Sequence, residues 1–372
     1  MDRFLPPVSV GEIVRSISED YIDMIEQKIP IKEASRYFLW GPPGIGKTSG
    51  VYQIKKLVEQ QTKLKVVVHE IRVSDYSYND IAGMMIPDRE NMISVWLRPQ
   101  ILMMDDATDV LNLVFFDEIG DADIYLQRVI KQVIEKGKVG VHKLPDNCVF
   151  ILASNRVTDN CMVYRIADSL ANRACHFNVQ PDFESWKQWA ITHGIHEYVL
   201  GFLSFNNNKL YDLEKERDKV AFATPRSWEY FSNYLHLKKG KSLEELYPTL
   251  CGFVGMDNVL ALKAWCGSHK MFTLVPNIFQ GTETRYPKKP DEVRELIYAM
   301  IAHVSKEKDT LTDKSLEFAC QYVGHFSADF AAMFYQSLME IEGMNLRLFE
   351  CPSFKRWLSK NKQIFKVKGY TV

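Results

Sequence analysis

Apolar residues recur at two spacings in the first half of the chain and at one in the second. Between Val10 and Gln27, Ile13, Ile17, Tyr21 and Ile25 return every four residues, which predicts a helix with one buried face. Short continuous apolar runs predict buried strands at Tyr37-Phe38-Leu39-Trp40, across Lys65 to Val73, at Leu113-Val114-Phe115-Phe116 and across Cys148 to Ala153. Thr48 to Gln60 and Asp123 to Lys136 read as helices between them. Strands alternating with helices predict an α/β core, a parallel sheet covered by helices on both faces. From Phe183 onward only helical patterns remain, rich in aromatic residues. Ser74 to Asp109 is expected to be irregular, punctuated by Gly83, Pro87 and Pro99. Asn206 to Lys219 reads as a solvated excursion, and Gln280 to Asp291 as a linker to a last helical section. There Phe326, Phe330, Phe334 and Tyr335 fall at near-helical spacing, as a packed core face or a face that docks a partner.

At 372 residues the chain can bury a large core and divide into two or three domains. The pattern divides it into an α/β core over residues 1–180, a helical lid over 181–270 and a mainly helical C-terminal section over 271–372. A net charge of −1 offers no general attraction to nucleic acid or to anionic membranes. No apolar run approaches the roughly 20 residues that span a bilayer, and Met1 to Pro7 lacks the features of a signal peptide. Seven cysteines without a CxxC pair suggest reduced thiols and a cytoplasmic location. Cys175-His176 reads as core or surface rather than as a metal fragment.

One motif changes this picture most. Gly41-Pro42-Pro43-Gly44-Ile45-Gly46-Lys47-Thr48 is a complete P-loop, set between a predicted strand and a predicted helix. Glycines let backbone N–H groups turn inward around phosphate oxygens, and the helix N-terminus adds partial positive charge. Lys47 brings a point charge and the Thr48 hydroxyl can ligate Mg²⁺. The nucleotide-contact set is therefore Gly41, Pro42, Pro43, Gly44, Ile45, Gly46, Lys47, Thr48 and Ser49. Asp117 and Glu118 close an apolar strand, where open α/β sheets place ligands. The first acid can hold the Mg²⁺ hydration shell facing Thr48 and the second can polarise an attacking water. Asp121 and Asp123 look instead like acids at a helix start. Asn155 ends another apolar strand and can bond a water or a phosphate oxygen, since an amide both donates and accepts. Arg173 and Arg226 are the remaining candidates, because a guanidinium matches phosphate geometry and stays charged.

These residues, in this order, resemble the AAA+ ATPases, and within them the MoxR-like branch. The P-loop is similar to Walker A, Leu113 to Glu118 to Walker B, Asn155 to sensor 1, Arg173 to the arginine finger and Arg226 to sensor 2. Leu170-Ala171-Asn172-Arg173, Val179-Gln180-Pro181-Asp182-Phe183 and Thr224-Pro225-Arg226-Ser227-Trp228-Glu229 extend the likeness, as does Gly252-Phe253-Val254-Gly255. The resemblance implies ATP and Mg²⁺ as ligands, a homo-oligomeric, hexameric ring, and a protein client or a von Willebrand A-like partner. Lys47, Thr48, Asp117, Glu118 and Asn155 would act in their own subunit, Arg173 in a neighbour's site, and Arg226 as a nucleotide sensor on the lid. It also implies a hairpin within Lys138 to Asn147. Arg165 is a second candidate for the interfacial arginine, and the local match favours Arg173.

Three functions follow as expectations: an ATP-driven remodelling machine, a nucleic-acid motor or loader, and a slow nucleotide-gated switch. The charge balance disfavours the second. Trp186, Trp189 and Trp228 could stack on bases, but their apolar surroundings read as core.

Overall fold

The computed structural model describes residues 5–156, 159, 164–212, 220–268 and 271–363. Its backbone contacts gather into two units, Met1–Asp182 and Phe183–Val372.

The first unit is built on six parallel strands: β1 (Pro7–Val8), β2 (Tyr37–Trp40), β3 (Lys65–Arg72), β6 (Val110–Asp117), β9 (Cys148–Ser154) and β10 (Cys175–Val179). They lie in the order β1-β10-β2-β9-β6-β3. Four further strands form two separate hairpins, β4 (Met84–Asp88) with β5 (Ile93–Leu97), and β7 (Lys138–Val139) with β8 (His142–Lys143). The helices are α1 (Val10–Glu26), α2 (Lys47–Thr62), α3 (Tyr78–Ala82), α4 (Ile124–Lys136) and α5 (Asp168–Ala171).

Alternation along the strands sorts the core. Phe38, Trp40, Val114, Phe116, Phe150 and Leu152 form one cluster with Leu126, Ile130, Val133 and Ile134 of α4. The intervening residues Leu39, Leu113, Phe115, Ile151 and Ala153 are also fully buried, because both faces of the sheet are covered. Helix α1 packs on α2, and α2 on β3 and β6. Each such fully buried side chain is worth about 1.5–3 kcal/mol. Helix α1 starts in a capping box, with Ser9 and Glu12 satisfying each other's backbone N–H.

Three local expectations change. The stretch expected to be irregular contains α3 and the β4–β5 hairpin. Its turn is fixed by the Asp88 carboxylate, which accepts from the N–H groups of Glu90 and Asn91. The strand expected at Leu113 to Phe116 begins at Val110, because buried Asn112 is satisfied there. Its amide donates to Asp105 O and Asn147 Oδ1, and its Oδ1 bonds His69 Nε2 at 2.9 Å. Strands β1 and β10 had no apolar run of their own. Polar Asn178 sits in β10 and donates to Leu5 O.

The second unit is helical among its described residues: α6 (Phe183–Thr192), α7 (Glu197–Phe205), α8 (Pro225–Leu237), α9 (Leu243–Val254), α10 (Met256–Ser268), α11 (Val275–Gln280), α12 (Pro290–Glu307), α13 (Asp313–Val323), α14 (Ala328–Glu340), α15 (Met344–Glu350) and α16 (Pro352–Asn361). One apolar cluster runs from Trp186 to Leu358, so the sections read as lid and C-terminal section share a core. Phe334 and Tyr335 are fully buried in it, with Phe326 and Phe330 packed against it. Trp186 and Trp228 are core residues and Trp189 packs on the same cluster. The segment expected as a linker is pinned to α13, where Tyr286 stacks on Tyr322 and the Tyr322 hydroxyl donates to Arg285 O. Of the excursion expected at 206–219, residues 213–219 lie outside the described residues. No helix among the described residues is long and apolar enough to cross a membrane.

A histidine pair joins α7, α8 and α12. His196 accepts from Tyr198 N–H at the start of α7, and its own N–H donates to Ser232 Oγ. The His236 ring lies 4.8 Å from it, donating from Nε2 to Gly194 O and accepting at Nδ1 from Lys306. Burial, with the charges of His236 and Lys306, pushes the His196 imidazole down from 6.5 to about 3. Unfolded His196 therefore takes up its proton on acidification before the folded residue does. Between pH 6.5 and 3 each pH unit lost should cost up to about 1.4 kcal/mol of stability. His196→Asn, which keeps a capping acceptor, should flatten the fall in urea midpoint measured across that window.

Candidate functional site

The P-loop leaves the end of β2, between β9 and β10, and enters α2. Gly41 N–H donates to Ser154 O at the end of β9, which starts the loop alongside that strand. A Cβ on Gly41 would lie 2.7 Å from the Val179 carbonyl oxygen at the end of β10, so no larger residue fits. Gly46 caps α2 at φ 102°, a left-handed conformation that side chains resist. The first turn of α2, like that of any helix, offers N–H groups that have no intrahelical acceptor.

Lys47 opens α2 and is only 8% exposed. Its ammonium donates to Gly41 O at 2.6 Å, Pro42 O at 3.0 Å and Asn155 Oδ1 at 3.2 Å. Thr48, next on the helix, donates from Oγ1 to Asp117 Oδ2 at 3.1 Å. Asp117 is the last residue of β6 and is itself 8% exposed. Residues from three strand ends and one helix start thus converge, in the crevice that parallel sheets use for ligands. A buried cation, a hydroxyl, a carboxylate and an amide, at the first turn of a helix, suit a polyanion carrying a hard divalent metal.

Glu118 follows at φ 56°, ψ 39°, a left-handed conformation costing about 1–2 kcal/mol for a side-chain-bearing residue. Its N–H is held by Asp117 Oδ1 at 2.8 Å. Its carboxylate accepts from Ser74 Oγ at 2.7 Å and lies 3.8 Å from Arg72 Nε. Sequence reading missed both partners. Only the β3–β6 register, which sets Arg72 opposite Asp117, brings them there. Asp121 stands nearby, its carboxyl raised by burial and then by the charges of Glu118 and Asp117.

Arg156 was also missed. It is 6% exposed, donates to Val179 O at 2.5 Å and pairs with Asp159. It therefore ties the end of β9 to the end of β10 across β2, behind the first glycine of the loop. His176 has a comparable role. It accepts from Trp40 Nε1 at 2.8 Å and donates from Nε2 to Ala171 O at 2.8 Å.

Arg173 follows α5 and pairs with Glu135 of α4 at 3.0 Å. The Arg165 side chain is 85% exposed and pairs with Asp168. Arg226 is exposed in the first turn of α8, in the second unit.

No family model and no curated protein matches the chain. Among solved structures it is similar to Caenorhabditis elegans PCH-2, at 15% identity and a TM-score of 0.34 over 69% of each chain. It is also similar to a Thermotoga maritima RuvB variant, at 14% identity and a TM-score of 0.36, over 81% of this chain and 85% of that one. A Cytophaga hutchinsonii protein described as a putative ATPase gives 14% and 0.32, over 83% and 86%. Values this low leave the functional reading to the residues.

The close approach at Gly41 is testable. Gly41→Ala should destabilise the chain by about 1–3 kcal/mol, the usual range for overpacking, read as a lower urea midpoint. An unchanged midpoint would mean that the loop and the end of β10 yield freely.

Proposed function

We propose that this chain is an ATPase of the AAA+ type, in its MoxR-like branch, and that it works as a hexameric ring to remodel or activate a protein partner. A von Willebrand A-like protein is the partner class suggested by the sequence resemblance. The observation that supports this reading best is the convergence of Lys47, Thr48, Asp117 and Asn155 at the strand ends. Buried Lys47 is surrounded by acceptors that a triphosphate can replace.

Mg²⁺ fits the donors present, since the Thr48 hydroxyl and Asp117 carboxylate are hard oxygen ligands 3.1 Å apart. When bound, it would neutralise charge on the phosphate oxygens. The chain's own groups would do the rest. Backbone N–H groups of the loop and of the first turn of α2 hold phosphate oxygens. Lys47 turns from Gly41 O and Pro42 O toward the β- and γ-phosphates. Asn155 orients the attacking water. Glu118, released from Ser74, accepts that water's proton as its oxygen bonds to the γ-phosphorus and ADP leaves. Arg173 of one subunit reaches the phosphate of its neighbour, and Arg226 reports the nucleotide's state.

The decisive experiment follows ATP hydrolysis against protein concentration, with GTP as a control. Activity should rise steeply with concentration and fall by at least a factor of about 10³ in Arg173→Ala, the scale attributed to such arginines. Lys47→Ala should lose nucleotide binding, whereas Glu118→Gln should bind ATP, fail to turn over and retain its partner. Concentration-independent hydrolysis that survives Arg173→Ala would sink the shared-site reading.

A further inference from the structure

We propose that Gln127 and Glu135 of α4 are positioning residues that set the arginine-bearing segment from Arg165 to Arg173. This rests on the reading of Arg173 as the phosphate-facing arginine.

Helix α4 begins six residues after Glu118. The turn between them is closed by Asp121 N–H donating to Glu118 O, and Asp123 caps the helix by accepting from Leu126 N–H. The helix is therefore fixed in register to the acidic end of β6. Gln127, one turn in, is 1% exposed. Its amide nitrogen donates to Ala122 O at 3.0 Å and to Arg165 O at 3.3 Å. Its Oε1 accepts from Ala167 N–H at 2.9 Å, at the residue preceding α5. A buried amide with both its ends used in this way permits little sliding of the segment it holds.

Glu135 stands in the last turn of the same helix. It accepts from Arg173 Nη2 at 3.0 Å, with Lys131 at 3.9 Å on its other side. Arg173 also holds the Glu135 carboxyl below its ordinary range. The backbone around Arg173 is fixed on both flanks. Ala171 O accepts from His176, and Cys175 N–H donates to Arg36 O. The Arg36 guanidinium returns to α4, donating from Nε to Ile134 O at 2.9 Å. Glu135, Arg173, Cys175, Arg36 and Ile134 thus form a closed circuit of contacts, with Gln127 as the second attachment. Through α4, the orientation of Arg173 is tied to the strand that ends at Asp117, just before Glu118. No feature of charge or spacing in the sequence marks either residue, since Glu135 looks like one more solvated helix acid.

The test uses the full chain at concentrations where hydrolysis no longer rises. Glu135→Ala should lower kcat roughly tenfold, in the range that misplacing a reacting group produces. KM for ATP and the thermal midpoint should stay unchanged. Glu135→Gln, which still accepts from a guanidinium, should recover most of the loss. In single-turnover measurements on Arg173→Ala, adding Glu135→Ala should change nothing further. Gln127→Met, which keeps the volume and removes the bonds, should reproduce the kcat loss; if it does not fold, the Glu135 series decides alone. Wild-type kcat in Glu135→Ala while Arg173→Ala is inactive would overturn this inference and leave the ATPase reading standing. An equal loss in the Arg173→Ala background would overturn it too. Full activity in Arg173→Ala would overturn both.

Discussion

The ammonium of Lys47 is almost entirely withdrawn from water, and a charge so placed requires close partners. Two of those partners are carbonyls of its own loop, and the third is the amide of Asn155 at the end of another strand. This places conditions on the rest of the first unit. The loop must turn back on itself before α2, which Gly46 allows. Strand β9 must lie beside β2 with Ser154 opposite Trp40, so that Asn155 emerges at the lysine. Strand β10 must end against Gly41. Arg156 helps meet that last condition by donating to the same Val179 carbonyl.

Around this point the unit separates fixed groups from releasable ones. Asp117 is buried and bonded through both its oxygens, to Thr48 and to the Glu118 backbone. Glu118 is different. Its backbone is held in a strained conformation, while its carboxylate rests on a serine and an arginine near the surface. Asp117 is thus the more buried and more tightly bonded of the two acids. Backbone strain at a position such as Glu118 is expected where geometry serves chemistry more than stability.

Polar side chains tie separate segments together in both units. In the first, buried or half-buried polar side chains bridge separate strands and segments. Asn112 joins β6 to the segments on either side, His176 joins β2 to the Arg173 turn, and Gln127 joins α4 to the start of α5. Each bonds at least one backbone group that an apolar residue would leave unpaired, so each fixes a position that packing alone would not. The second unit packs one apolar cluster around α12, and it too holds buried polar bridges, such as Asp212, which accepts from Ala223 N–H and from Asn258 Nδ2.

Much was legible in the sequence because it is local. The P-loop glycines, the strand before them and the helix after them are properties of adjacent residues. So are the carboxyl-terminal acids of β6, since a continuous apolar run followed by Asp117-Glu118 signals a buried strand that ends at solvent. Strands β1 and β10 carry no such signal: β10 is buried only in part, where the returning chain pairs with β2, and β1 pairs with β10 at the sheet edge with Pro7 left exposed. The β4–β5 hairpin was hidden for another reason: its Met84, Met85 and Ile93 stay exposed, so no burial pattern announces it. Ser74, Arg72, Arg156, Gln127 and Glu135 are ordinary polar residues in the sequence. Their roles arise from contacts spanning 23 to 46 positions along the chain. Local chemistry determined what the loop can grip. Only the order and register of the parallel strands decided which distant side chains surround it, because a hydrogen bond between strand ends depends on pairing and not on distance along the chain.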